Sequence, residues 1–168
     1  MTKGAAYLTQ SQSDLRVFKA LLKDESVESC HALHYLQMMS EKLSKAIIES
    51  QNASSRPTHK AFSKLTTVLM NQRYAAIFSF KSIKSYFDFL RRVQPLIEEI
   101  EILCPALADT HTNGEDMPNV EYPWRLANFE WNAPCLHSFT IYERLKRDNL
   151  AKSLIWFLEQ LCAHFSEI

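Results

Sequence analysis

His34, Gln37, Glu41 and Lys45 follow one another at intervals of three or four residues, with Cys30 one turn before them. On an α-helix, at about 100° of rotation per residue, these side chains share one stripe. An imidazole that titrates near neutrality then stands two turns from a carboxylate and three from an ammonium. Such a set could bind a phosphate or a base, or move a proton by acid and base catalysis. His59 is a further histidine that a nonstandard site could recruit. The same residues also have a plainer use. Glu41 and Lys45 have the favourable i to i+4 order that stabilises a helix, and His34 can serve as an interfacial or hydrogen-bonded residue. Because polar helix faces are usually just solvated, a structural or interface role is the stronger account of the stripe.

A second candidate lies at Glu121, Tyr122, Trp124 and Arg125, where charged and aromatic residues meet beside Pro123. They could form a binding edge, although an aromatic clasp on the protein body is more economical. Lys81, Lys84, Arg91 and Arg92 make the densest positive cluster. Glu98, Glu99 and Glu101 follow it directly, so a charge-balanced solvated helix is preferred over a phosphate-binding surface. Between Arg73 and Phe89 the aromatics Tyr74, Phe78, Phe80, Tyr86, Phe87 and Phe89 are more than one helix face can hide. Core packing is favoured over a nucleobase platform, which needs basic residues interleaved with the rings in a groove.

Four cysteines, Cys30, Cys104, Cys135 and Cys162, show no CxxC spacing and read as reduced thiols. Cys30 with His34, and Cys162 with His164, give only pairs, whereas a metal site needs three or four convergent ligands. The expectation is therefore no metal and no cofactor. His111, His137 and His164 have no recognisable base or nucleophile partner in sequence, and the spacings of serine hydrolases, zinc peptidases, P-loops and EF-hands are absent.

The elements that must position these residues read as helices. Nineteen Lys and Arg balance nineteen Asp and Glu among 168 residues, so the whole molecule has no electrostatic reason to seek nucleic acid or an anionic membrane. Two glycines are too few for Gly-rich phosphate loops or many tight β-turns. No apolar run is long enough to span a bilayer, and the first ten residues lack the core of a secretory signal. A cytoplasmic protein is expected.

The patterning predicts a first helix from Ala5 or Ser13 to Lys23, with Ser13 and Asp14 at a cap or on the outer face, and a long second helix from Cys30 to Glu49 capped by Ser26 or Ser29. A third helix begins near Ser55 or Thr58 and ends about Met70. A fourth pattern runs on Ile83, Phe87, Leu90, Val93, Ile97 and Ile100 with Glu98, Glu99 and Glu101 outward, and Pro95 either kinks it or opens a new turn. The segment 106–138 is irregular but carries Tyr122, Trp124, Phe129 and Trp131, so it is expected to wrap the bundle with its rings buried. Short strands are expected about Val120–Tyr122 and Phe129–Trp131. Thr140 with Glu143 has capping-box spacing, and Asp148 is placed to cap a last helix on Leu150, Leu154, Phe157, Leu161 and Phe165. The fold class is all-α, an antiparallel bundle of about five main helices in one domain over 1–168, with the irregular segment before the final helical region.

Glu41, Lys42, Leu43, Ser44, Lys45 and Ala46, preceded by His34 to Gln37, resemble the second helix of HEPN domains, where a Gln-rich turn leads into EKxxKA. The first helix, with Asp14, Leu15, Leu21 and Leu22, the Thr58 and His59 start of the third, and the block Pro118 to Trp124 are similar to members of that family as well. The resemblance covers most of the chain. It implies a helical bundle that tends to form homodimers, sometimes partnered with a nucleotidyltransferase or another toxin or defence component, with RNA or a nucleotide as the ligand class. Active members are often metal-independent ribonucleases that use an Arg followed four to six residues later by His. None of Arg16, Arg56, Arg73, Arg91, Arg92, Arg125, Arg144 or Arg147 has a His at that spacing, and Arg56 is too close to His59. The expectation is a noncatalytic binding or regulatory subunit, with an RNA-cleaving or nucleotide-modifying enzyme built on His34, Glu41, Lys45 and His59, or a structural component of a larger assembly, as the alternatives.

Overall fold

The computed structural model describes residues 1–51, 60–104, 117–126 and 128–168. Their order is α1 (Lys3–Leu21), α2 (Ser29–Ser50), α3 (Ala61–Leu69), α4 (Arg73–Ile77), α5 (Ile83–Glu101), β1 (Trp124–Arg125), β2 (Trp131–Asn132), α6 (Thr140–Arg147) and α7 (Asn149–Ala163). The class is all-α. α1, α2, α3, α5 and α7 are the main helices, with α4 and α6 as short additions, and β1 and β2 form one antiparallel pair.

α2 is the axis of the bundle, in contact with α1, α3, α5 and α7. Leu33, Leu36, Met39, Leu43 and Ile47 are fully buried along it, and the stripes expected to meet them supply Leu15, Phe62, Ile97 and Phe157 to the same core. Truncating one of these large side chains to alanine costs about 2–5 kcal/mol, because the cavity left behind relaxes only in part. Small residues let α1 lie close. A Cβ on Gly4 would stand 3.4 Å from the Ala46 carbonyl oxygen, and the Ser11 hydroxyl donates to the Met39 carbonyl at 3.0 Å.

Asp14 neither caps α1 nor faces outward. It is buried between α1 and α2, where Lys42 Nζ donates to it at 2.6 Å and Gln10 Nε2 at 2.8 Å. A carboxylate removed from water needs such partners, and periodicity alone gave no hint of the lysine facing it.

The predicted caps divide. Asp148 accepts from the Leu150 and Ala151 amides at 2.6 and 3.1 Å and opens α7 as expected; those two amides hold its carboxyl below the usual range. Glu28, without a side-chain cap, precedes α2. Ser26 instead donates from both its amide and its hydroxyl to Asp24, forming a turn before the helix. Thr140 is the first helical residue of α6, following Phe139, so its box with Glu143 does not form. α5 has a capping box that the sequence reading did not include, between Ser82 and Ser85.

α5 runs unbroken through Pro95. The carbonyl that the proline leaves without its helical partner belongs to Arg91, and both residues are exposed, so water can take that bond. Glu101 departs from the expected outward run. It is buried, and its Oε1 accepts from the Phe62 and Ser63 amides at 2.9 and 3.0 Å. α3 has no side-chain cap of its own, so a carboxylate at the end of α5 satisfies its first turn.

Among the aromatics of 73–89, Tyr74, Phe78 and Tyr86 are buried and Phe78 meets Phe157 edge-on at 5.0 Å, as core packing required. The Tyr86 hydroxyl donates to the Leu69 carbonyl at 2.8 Å. Among the described residues no helix is long and apolar enough to cross a membrane.

Candidate functional site

The polar stripe of α2 is inside the protein. Gln37 and Glu41 are buried, His34 and Lys45 are half-buried, and of the whole helix only His31 and Ser50 are exposed. In the single chain the stripe expected as an interface or binding face packs inward, with His34 and Lys45 partly accessible. A 22-residue helix placed at the axis of a bundle is covered on every side, and its polar line must then pair internally. Lys45 forms a salt bridge with Glu41, and Gln37 Nε2 donates to the other Glu41 oxygen at 3.2 Å. Among the described residues Gln37 Oε1 has no hydrogen-bond partner. The Lys45 ammonium also lies 6.0 Å from the centre of the Tyr7 ring on α1.

His34 turns towards the second candidate group. Its Nδ1 lies 3.2 Å from Glu121 Oε1, an ion pair when the ring is protonated, although the direction is not that of a hydrogen bond. The structure thus joins His34, Gln37, Glu41 and Lys45 into one line and brings Glu121 to its end. His59 lies outside the described residues. Nothing in this line resembles a nucleophile aligned with a base, and among the described residues no three His, Cys, Asp or Glu side chains converge as a metal site would require.

The segment that carries Glu121 is ordered by a few anchors. The Val120 amide donates to the Leu103 carbonyl. Asn119 Oδ1 accepts from the Glu121 and Tyr122 amides at 3.0 and 2.8 Å. Trp124 is buried, with His137 edge-on at 5.1 Å and Phe139 beyond it; the same burial lowers the His137 pKa. From this anchor the chain forms a hairpin in which Trp124 pairs with Asn132 and Arg125 with Trp131. The strands lie a few residues beyond the expected positions, because Pro123 ends the turn that Asn119 organises.

Side chains alternate across a strand, so burying Trp124 forces Arg125 and its partner Trp131 to the opposite face. Trp131, expected to be buried, is therefore 69% accessible, and outside the strands Phe129 (70%) and Tyr122 (61%) are exposed as well. Phe129 sits in the turn with φ of 66°, a costly conformation for a bulky side chain, and its ring lies 5.4 Å beneath the Arg125 guanidinium. Next to the hairpin a 3-10 turn, Pro134–Leu136, packs against α2 and leaves Leu136 80% accessible. The sequence does hold a signal for this face. Phe129, Glu130, Trp131 and Asn132 alternate aromatic with polar, the period of a strand with two unlike faces.

Of the four residues in the second candidate group, Trp124 is an internal anchor, Glu121 meets His34, and Tyr122 and Arg125 reach the surface. Phe129 and Trp131 were missed. No family model, curated protein or solved structure matches the chain.

Proposed function

We propose that this chain is a noncatalytic, HEPN-like binding or regulatory subunit that works as a homodimer, with the aromatic face of the β-hairpin as its interface. The observation that carries the reading is the exposure of Phe129 and Trp131 on a hairpin whose opposite face is fastened by buried Trp124. Large rings held open to water on a fixed support are what interfaces use. A second copy is the occupant because the hairpin carries both signs of charge, Arg125 with Glu121 and Glu130. Around a two-fold axis, an interface of that kind can place the basic group of one protomer against the acids of the other. Association with a nucleotidyltransferase or defence-system protein would then be a task of the dimer.

The internal pairing of Glu41 with Gln37 and Lys45 supports the noncatalytic part of the reading, since both carboxylate oxygens are engaged within the helix. Light scattering is the direct test. The intact protein should have the mass of a dimer, and Phe129→Ser with Trp131→Ser should be a folded monomer, because an aromatic anchor of this type contributes about 2 kcal/mol or more to association. A strict monomer at high concentration removes the dimer. RNA incubated with the protein should stay intact; cleavage that disappears in His34→Ala would overturn the noncatalytic assignment.

A further inference from the structure

Cys30 and Cys135 are far apart in the chain and close in the fold. Cys30 is buried in the first turn of α2, one turn before His34 on the same stripe. That side of α2 is the one the hairpin segment covers. His34 meets Glu121, and the 3-10 turn Pro134–Leu136, with Cys135 at its centre, packs against α2. Apart from Glu28, which precedes the helix, Cys135 is the ionisable side chain whose charge acts on the Cys30 thiol. Cys162 differs, since Ser11 and Glu159 rather than a second thiol act on it.

The two thiols differ in access. Cys135 is exposed and Cys30 lies beneath the turn that carries it. An accessible thiol poised next to a second cysteine is the usual form of a redox-sensing pair. The turn can also shift. The Leu136 and His137 amides bond back to Ala133 and Pro134, within the turn itself, and the turn has no side-chain cap. Its position against α2 therefore rests on packing, which a small rotation of the turn can adjust.

We infer that Cys135 and Cys30 form an oxidation site that closes into a disulfide and fastens the turn after the hairpin to α2. With hydrogen peroxide as oxidant, the Cys135 thiolate attacks one peroxide oxygen, the O–O bond breaks, and the departing hydroxide takes up a proton to become water. Cys135 is left as a sulfenic acid. The Cys30 sulfur then attacks the Cys135 sulfur, the S–O bond breaks, and a second water leaves with the Cys30 proton. Two thiols and one peroxide thus give one disulfide and two waters. Burial holds the proton on Cys30, so the closing step is the slower one and quickens as pH rises. The bond spans a long stretch of chain, where a cross-link restricts opening most. The latch belongs to one protomer and stands whether or not the hairpin face pairs with a second copy.

Stoichiometric hydrogen peroxide and mass spectrometry test it. The intact protein should lose the mass of two hydrogens, and nonreducing peptide mapping should join the Cys30 peptide to the Cys135 peptide. Limited proteolysis within residues 128–136 should slow by at least about tenfold in the oxidised protein and recover with dithiothreitol. Cys30→Ala should leave Cys135 as a sulfenic acid that dimedone traps. Cys135→Ser, a change at an exposed position that the fold tolerates, should leave Cys30 reduced. A disulfide between the Cys135 residues of two chains overturns the inference, as does oxidation of Cys135 beyond the sulfenic acid while Cys30 stays a thiol. A linked protein cleaved as fast as the reduced one overturns it equally.

Discussion

Glu101→Ala is the most demanding test of how the bundle is held together. One carboxylate oxygen at the end of α5 accepts both the Phe62 and Ser63 amides, and α3 has no side-chain cap of its own. A hydrogen bond to a charged acceptor contributes about 1.5–3 kcal/mol, and a buried amide left unpaired costs about 1–3 kcal/mol. Losing a conventional helix cap costs about 0.5–2 kcal/mol. Two amides share one acceptor here, and Ser63 is only half-buried, so the combined loss should be about 3 kcal/mol. For a chain of this size that lowers Tm by roughly 6–12 °C. Glu101→Gln keeps an acceptor but removes its charge, and should cost about 1 kcal/mol. Urea unfolding of the three proteins, followed by circular dichroism, measures the differences. A Glu101→Ala variant within about 0.5 kcal/mol of the parent would refute the reasoning, since surface glutamates far from any cap fall in that range.

Trp124→Ala should destabilise by about 3–5 kcal/mol and expose the hairpin to limited proteolysis, whereas Trp131→Ala should change stability by less than about 0.5 kcal/mol; urea midpoints separate the two. Tyr86→Phe should cost about 1 kcal/mol through its lost bond to the Leu69 carbonyl, again read from urea unfolding. Burial, with a smaller contribution from Tyr74, raises the Tyr86 pKa above its ordinary 10.0. A raised pKa means that the folded state holds the proton more tightly. Its stabilising effect is therefore complete below about pH 10 and is lost as pH rises beyond it; the parent should lose stability in that alkaline window and Tyr86→Phe should lose less. Alkylation with iodoacetamide, followed by mass spectrometry, should mark exposed Cys135 first. Cys162, whose thiol burial pushes up to about 11, and buried Cys30, also raised chiefly by burial, should react only on unfolding.

The helices were legible because each carries an apolar stripe at a helical period. The extent of α2 follows from its apolar period, and the cap at Asp148 from local chemistry that a sequence displays. Whether a polar stripe faces water was not legible. Glu41 in α2 and Glu101 in α5 have the composition of solvated helix faces, yet one is paired with Gln37 and Lys45 inside the bundle and the other caps a helix 38 residues away. Such pairings depend on which element lies across from the stripe, and periodicity carries no information about that. The hairpin went the other way. Aromatic content suggested burial, but in a two-residue strand pair only one face can point inward, and Trp124 took it. The positive cluster was likewise read along the chain, where Glu98 and Glu99 balance Arg91 and Arg92; the turn at Ser79 brings Lys81 across to Arg92 and gives the cluster a shape that the linear order hides.

The enclosure of α2 has a consequence for how this molecule can vary. A helix of 22 residues with twelve buried and only His31 and Ser50 exposed has few positions where a substitution is neutral, so most of its sequence is set by its neighbours whatever the protein is used for. Drift, adaptation and engineering are all pushed to the periphery, to the hairpin and to the turn before α5. Two homologues that differ in task should be nearly alike along α2 and unlike at residues 122–136. A deep mutational scan selected only for folding should already show that contrast.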